Sequence, residues 1–191
     1  MSFFQRYCVT LQQCDTESIY MKKIIVKEKD LMAAAKEGMD AFIGIFADAI
    51  NEAIGGQLTA NNMSELNSDQ ITLLAYIDLR NEVMDGGFVQ LIHNGYGAFI
   101  FINPFAKMLK TWGLRELSKL VFDASHLYKK YHESIEKDCT DEEFMAMFEQ
   151  FPEFDDVDDE FVENEELWTE NIARYIDENV DKFAEIEKEN E

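Results

Sequence analysis

Carboxylates are the residues of this chain whose type and spacing could do chemistry. Asp155, Asp156, Asp158, Asp159, Glu160, Glu163, Glu165 and Glu166 crowd into the stretch between Phe154 and Trp168. Three chemistries use acids at such density: calcium ligation, a carboxylate-bridged metal pair, and presentation of a phosphate-like array. The first fails on spacing. Asp156, Asp158 and Glu160 match the opening ligands of a calcium loop, but Phe161 stands where the loop needs glycine and Leu167 where it needs a bidentate glutamate. The second fails on partners. Asp123 and His126 are three apart, yet a di-iron bundle needs two Glu-x-x-His motifs plus inward glutamates, and His126 falls off the apolar stripe of its helix. The third fits. Acids three and four apart on a helix stand about 5–6 Å from each other, a spacing comparable with that of phosphates along a strand. Glu170, Asp177 and Asp181 extend the set on the polar side of the following residues. These eleven acids form the expected partner-binding surface. Phe154, Val157, Phe161, Val162, Leu167 and Trp168 are expected to pin the acidic stretch to the body of the protein. No catalytic residue, metal site or cofactor site is expected.

The charge balance says what the surface would face. The chain carries a net charge of -22, and residues 133–191 hold 24 Asp and Glu against Lys137, Arg174, Lys182 and Lys188. Residues 1–132 are near balance, with 15 acids and 13 bases. Self-repulsion on that scale exceeds what solubility asks of a small domain, so it points to a basic partner. Direct nucleic-acid binding is excluded by the same charge. Lys107, Lys110, Arg115, Lys119, Lys129 and Lys130 form a locally positive stretch, expected to pair with the acidic third or with a second subunit.

The elements that must position these groups read as helices. Only two prolines and nine glycines interrupt 191 residues, and 47% hydrophobic content with 15 Phe supports a folded body. The expected fold is all-α, a single compact multi-helix domain over 28–191 with its strongly acidic C-terminal third. Residues 1–27 are read as an N-terminal extension with a short strand at Met21–Val26. Asp30 is read as the cap of one long helix bearing Met32, Ala35, Met39, Phe42, Phe46, Ile50 and Ala53, stopped by Gly55-Gly56. Asn67 and Gln70 form a capping box for a second helix that Gly86-Gly87 breaks, leaving Phe88 to His93 for one or two turns. Pro104 opens a helix ending at Gly113, and Leu117, Val121, Ala124, Tyr128, Tyr131 and Ile135 stripe the next. Thr140 and Glu143 cap a short helix closed by Pro152. A last amphipathic helix is expected after the acidic stretch, with Trp168, Ile172, Tyr175, Phe183 and Ile186 on one face. Cys8, Cys14 and Cys139 make no CxxC pair, which favours a reducing, cytoplasmic setting. No membrane span is expected, because no run nears the ~20 apolar residues that cross a bilayer.

The block Glu82-Val-Met-Asp-Gly-Gly-Phe-Val-Gln-Leu-Ile-His-Asn-Gly-Tyr-Gly97 resembles the signature of an all-helical bacterial family, with Gly86, Gly87, Phe88, Gln90, Asn94 and Gly95 as its structural positions. Phe154–Phe161 and Ala173–Phe183 are similar to the family's acidic-aromatic linker and Tyr-Ile helix, so the likeness covers roughly Asn67 to Phe183. That family includes an acidic DNA-mimic protein, a dimer that antagonises a helix-turn-helix transcription factor. The resemblance implies a homodimer that binds a basic DNA-binding protein and blocks its DNA site. Within the block, the amide of Gln90 is expected to satisfy buried backbone groups. The rival readings are a ligand or enzymatic pocket around Phe88, Gln90, His93 and Asn94, and an immunity-type or structural protein whose acids only keep it soluble.

Overall fold

The computed structural model describes residues 21–188. Residues 1–20, including Cys8, Cys14 and most of the proposed extension, lie outside that range. Element order is β1 (Ile25–Lys27), α1 (Glu28–Glu37), α2 (Met39–Ala53), α3 (Ser68–His93), α4 (Gly97–Phe101), α5 (Phe105–Thr111), α6 (Arg115–Ile135), α7 (Asp141–Gln150), α8 (Asp155–Glu178) and β2 (Glu185–Glu187), with single 3-10 turns at Met63–Glu65, Pro152–Phe154 and Val180–Lys182. The fold is all-α apart from one short parallel strand pair. The chain forms two units: a terminal unit of residues 21–74 and 167–188, and a central unit of residues 75–166. Helices α3 and α8 contribute residues to both.

In the terminal unit, β1 pairs with β2 in parallel, with Ile25 opposite Glu185 and Lys27 opposite Glu187. The strand lies at the end of the stretch expected for it, and β2 was not expected. Its three residues alternate Glu-Ile-Glu, too short a pattern to separate from a helix end. The expected long first helix is two helices. Gly38, with φ 132 and ψ -177, breaks it, and Lys27 rather than Asp30 precedes the first turn. Phe42, Phe46 and Ile50 face the core, where the rings of Phe46 and Phe183 lie 6.2 Å apart. The Asn67–Gln70 box forms as expected, each side chain accepting the other's backbone N–H. Both amides then reach across the unit, Asn67 to the Lys182 carbonyl at 2.8 Å and Gln70 to that of Phe183 at 3.0 Å. Phe183 and Ile186 therefore do not continue a helical face. Helix α8 ends at Glu178, and these residues approach the core from a 3-10 turn and a strand.

In the central unit, α6 buries Leu117, Leu120, Val121, Ala124 and Tyr128 as its period demands, while Lys119, His126 and Lys130 stay in water. Tyr128 also explains Gly97, where a Cβ would stand 2.5 Å from the Tyr128 ring. Thr140 and Glu143 make both bonds of a capping box at the start of α7. The acidic stretch is itself helical: α8 begins at Asp155, directly after the 3-10 turn that Pro152 opens, where a linker was expected.

Candidate protein-binding surface

The first three turns of α8 are fixed from beneath. Phe154, Val157 and Phe161 are buried, and the ring of Phe161 meets Phe88 edge-on at 6.3 Å between centroids. Outward lie Asp155, Asp156, Asp159, Glu160, Glu163 and Glu166, all exposed. At 1.5 Å per residue, positions 155–166 rise about 18 Å. Six acids over that length give one charge per about 3 Å, close to the 3.4 Å per charge of one DNA strand and about half the density of a duplex. Val162 and Leu167, expected to pin the helix, are about half exposed and sit among these acids instead. In the terminal unit, α8 buries Trp168, Ile172 and Ile176 and exposes Glu170 and Asp177, while Asp181 is exposed in the 3-10 turn that follows. Glu170 forms a 2.9 Å ion pair with Arg174, so its charge is partly answered already.

Two of the eleven expected acids are used within the fold. Asp158 turns inward and accepts the Phe88 N–H at 2.7 Å, capping the short helical segment after the kink in α3. Burial raises its carboxyl to about 6, the Phe88 N–H opposes that shift, and Asp155 and Asp159 add to it. Glu165 is only 12% exposed in its side chain and pairs with Arg80 of α3.

The kink that Asp158 serves is built from the glycines of the signature block. Gly87 has φ 71, in the left-handed region, and Gly86 is non-helical at φ -155 and ψ 26. A Cβ on Gly87 would stand 2.5 Å from the Asp158 carboxylate, and one on Gly86 would stand 2.2 Å from Gln90 Oε1. The amides beyond the kink do not satisfy backbone groups as expected. Gln90 donates to Asp85 at 2.8 Å and Glu82 at 3.2 Å, and Asn94 donates to Glu82 at 2.8 Å, so the two amides brace carboxylates from the turn before the break. One turn earlier, burial and then Glu82 push the Asp78 carboxyl up to about 7.

Among the described residues, the members of the rival pocket have separate surroundings. Phe88 is fully buried, and His93 places Nδ1 2.8 Å from the Ile135 carbonyl while its ring stacks on Phe144. An open depression of about 630 Å³ lies beside Gln90, lined also by Arg80, Glu82 and Asp85. Sequence reasoning missed that Cys139 Sγ lies 3.9 Å from His93 Nε2. Since the Ile135 carbonyl can only accept, His93 Nδ1 donates to it. Burial, then Glu143, Asp138 and Asp141, push the Cys139 thiol up, which keeps it protonated where a cysteine nucleophile needs the thiolate. No group of three or more His, Cys, Asp or Glu able to hold a metal ion occurs among the described residues.

Residues 64–179 match the family model of DMP19-like proteins. The chain belongs to the DMP19-like family. Over 126 residues it is 36% identical to the protein named DNA mimic protein DMP19 from Neisseria meningitidis serogroup B, a match spanning 65% of this chain and 76% of that one. The DMP19-like region runs from just before the Asn67–Gln70 box to one residue past α8 and takes in the Gly86–Gly87 kink. Helices α1 and α2 precede it.

Proposed function

We propose that this protein is itself a DNA mimic: it binds a basic DNA-binding protein, a transcriptional regulator or nucleoid protein, and blocks that protein's DNA site. The observation that carries the reading is the outward row of six acids on a helix pinned by Phe154, Val157 and Phe161. A flexible acidic tail would offer the same charge without fixed spacing, and a groove reader built for phosphates needs the spacing. Family membership and the name of the meningococcal relative support the same reading.

The mechanism is competition without covalent chemistry. Complementary charge accelerates encounter, and the carboxylates then take the hydrogen-bond donors and cations that the partner otherwise offers to phosphates. Exposed charges are screened beyond about 8 Å at physiological ionic strength, so the complex weakens as salt rises. Acids already answered within the fold contribute less, which leaves Asp155, Asp156, Asp159, Glu160, Glu163 and Glu166 as the principal contacts and Asp177 and Asp181 as secondary ones. The proposal takes the protein as a cytoplasmic homodimer. Among the described residues, no helix is long and apolar enough to cross a membrane.

The test is capture from the native host at low salt, followed by elution with duplex DNA. A DNA-binding protein released by both salt and duplex supports the proposal. Failure of duplex DNA to release any captured protein contradicts it.

A further inference from the structure

The expected pairing of the basic stretch with the acidic third is limited. Lys130 pairs with Glu153 at 3.3 Å, while Lys119 pairs with Asp123 on its own helix at 3.4 Å. Among the described residues, Lys107, Lys110 and Arg115 make no ion pair. In a chain with 39 acids, three exposed cations on adjacent helices without a carboxylate partner need an account.

Their placement supplies one. Lys107 and Lys110 are three apart on α5, and Arg115 and Lys119 are four apart on α6, so each pair shares a helix face. The four side chains border an open depression of about 770 Å³ whose lining also includes Ala106, Ser118 and Phe122. Phe122 is 56% exposed and stands edge-on to the exposed His126 ring at 4.7 Å. A single exposed phenylalanine is ordinary on a protein surface; one bordered by four cations is not. The floor is rigid. Ser118 Oγ donates to the Ala106 carbonyl at 2.7 Å, tying α6 to α5, while Leu109, Leu117 and Val121 are buried and Gly113 makes the turn at φ 92.

We propose that this α5–α6 face is a second interaction surface, one that takes an acidic peptide segment carrying a single aromatic or aliphatic anchor. A cationic rim around Phe122 and Ala106 fits carboxylates placed on either side of an apolar side chain. Duplex DNA fits poorly, because its phosphates bring no apolar group to Phe122 and the remaining charge of the protein repels a long polyanion. The Lys119–Asp123 pair offers little resistance, since both partners are exposed and water screens such pairs. The surface is separate from the outward acids of α8 and needs a partner of opposite charge.

The experiment uses the full chain and a fluorescein-labelled 12-residue peptide of Asp, Glu and Gly with one central Phe, read by anisotropy at low salt. Its controls are the same peptide with Ser for Phe and a 12-nucleotide single strand. The Phe peptide is expected to bind at least fivefold more tightly than the Ser peptide. Lys110→Glu with Lys119→Glu should weaken it at least tenfold with unchanged circular dichroism. Phe122→Ser should erase the preference for Phe while leaving the Ser peptide unaffected. Replacing the outward α8 acids should leave peptide binding intact, so this proposal and the mimic proposal fail separately. Three results overturn it: peptide binding indifferent to both variants, a single strand that binds as tightly as the Phe peptide, or concentration-dependent self-association that the same variants abolish in place of peptide binding.

Discussion

Along the first turns of α8, Asp155, Asp156, Asp159, Glu160 and Glu163 lie in water, while Asp158 and Glu165 of the same helix turn toward α3 to hold a backbone N–H and an arginine. The two sets have the same chemistry and differ only in the face they occupy. Asp158 and Asp159 are neighbours in sequence and about 100° apart around the axis, and that rotation separates a helix cap from a solvated charge. Formal charge therefore overstates the charge available to a partner, and substitution should divide the two faces cleanly.

The largest effect is expected at the kink. Gly87→Val places a β-branched residue at φ 71 with its Cβ against the Asp158 carboxylate, and should cost more than about 3 kcal/mol in chemical denaturation. Gly86→Val should cost less, because its φ is negative and the atom nearest the added Cβ is the far end of the Gln90 side chain. Equal and small losses at both glycines would remove the capping account of the kink.

Next come the inward acids themselves. Asp158→Ala should lose about 1–2 kcal/mol, as an N-cap deletion does, and Asp158→Asn should recover part of it by keeping an acceptor for the Phe88 N–H. Glu165→Gln should lose about 1–3 kcal/mol through Arg80, whereas Asp159→Asn should stay within about 0.5 kcal/mol. Thermal melts of these four variants sharpen the division, and an Asp159 variant as damaging as the Asp158 variants breaks it.

The pH dependence follows from the raised groups. Asp158 at about 6 and Asp78 at about 7 hold protons in the fold that they release near 3.8 when unfolded. Between those values the folded state binds more protons, so the stability they contribute is complete below about pH 3.8 and is lost as pH rises to about 7. Melting curves from pH 5 to pH 8 should show a decline on the order of 4 kcal/mol, of which Asp78→Asn removes the larger part. An unchanged slope in that variant would mean Asp78 is not the source.

How much of this was legible depended on the range of the contact. The Asn67–Gln70 and Thr140–Glu143 boxes, the stop at Gly86–Gly87 and the stripe of α6 are set within four residues of chain, and the sequence carries them in full. The break at Gly38 was hidden because apolar spacing continues through it, so Met39 and Phe42 read as one stripe with Met32. Asp158 and Glu165 were misplaced because their partners, Phe88 and Arg80, lie about 70 and 85 positions away. Helical phase could have flagged them. At 100° per residue, Asp158 falls beside Phe154 and Phe161, on the buried side, and Glu165 falls beside Phe161 and Trp168. The opposed glycine and carboxylate at the kink have no sequence signal short of the fold.

The smallest expected effect on stability is also the decisive one for function. Asp155→Asn, Asp156→Asn, Asp159→Asn, Glu160→Gln and Glu163→Gln together should leave melting temperature and helical content within experimental error of the parent. The measurement that tests the central claim is capture of the DNA-displaceable partner by this fivefold variant beside the parent protein at matched salt. Loss of capture with an intact fold is the predicted result. Undiminished capture, or a partner that holds duplex DNA and this protein in one ternary complex, would contradict the account.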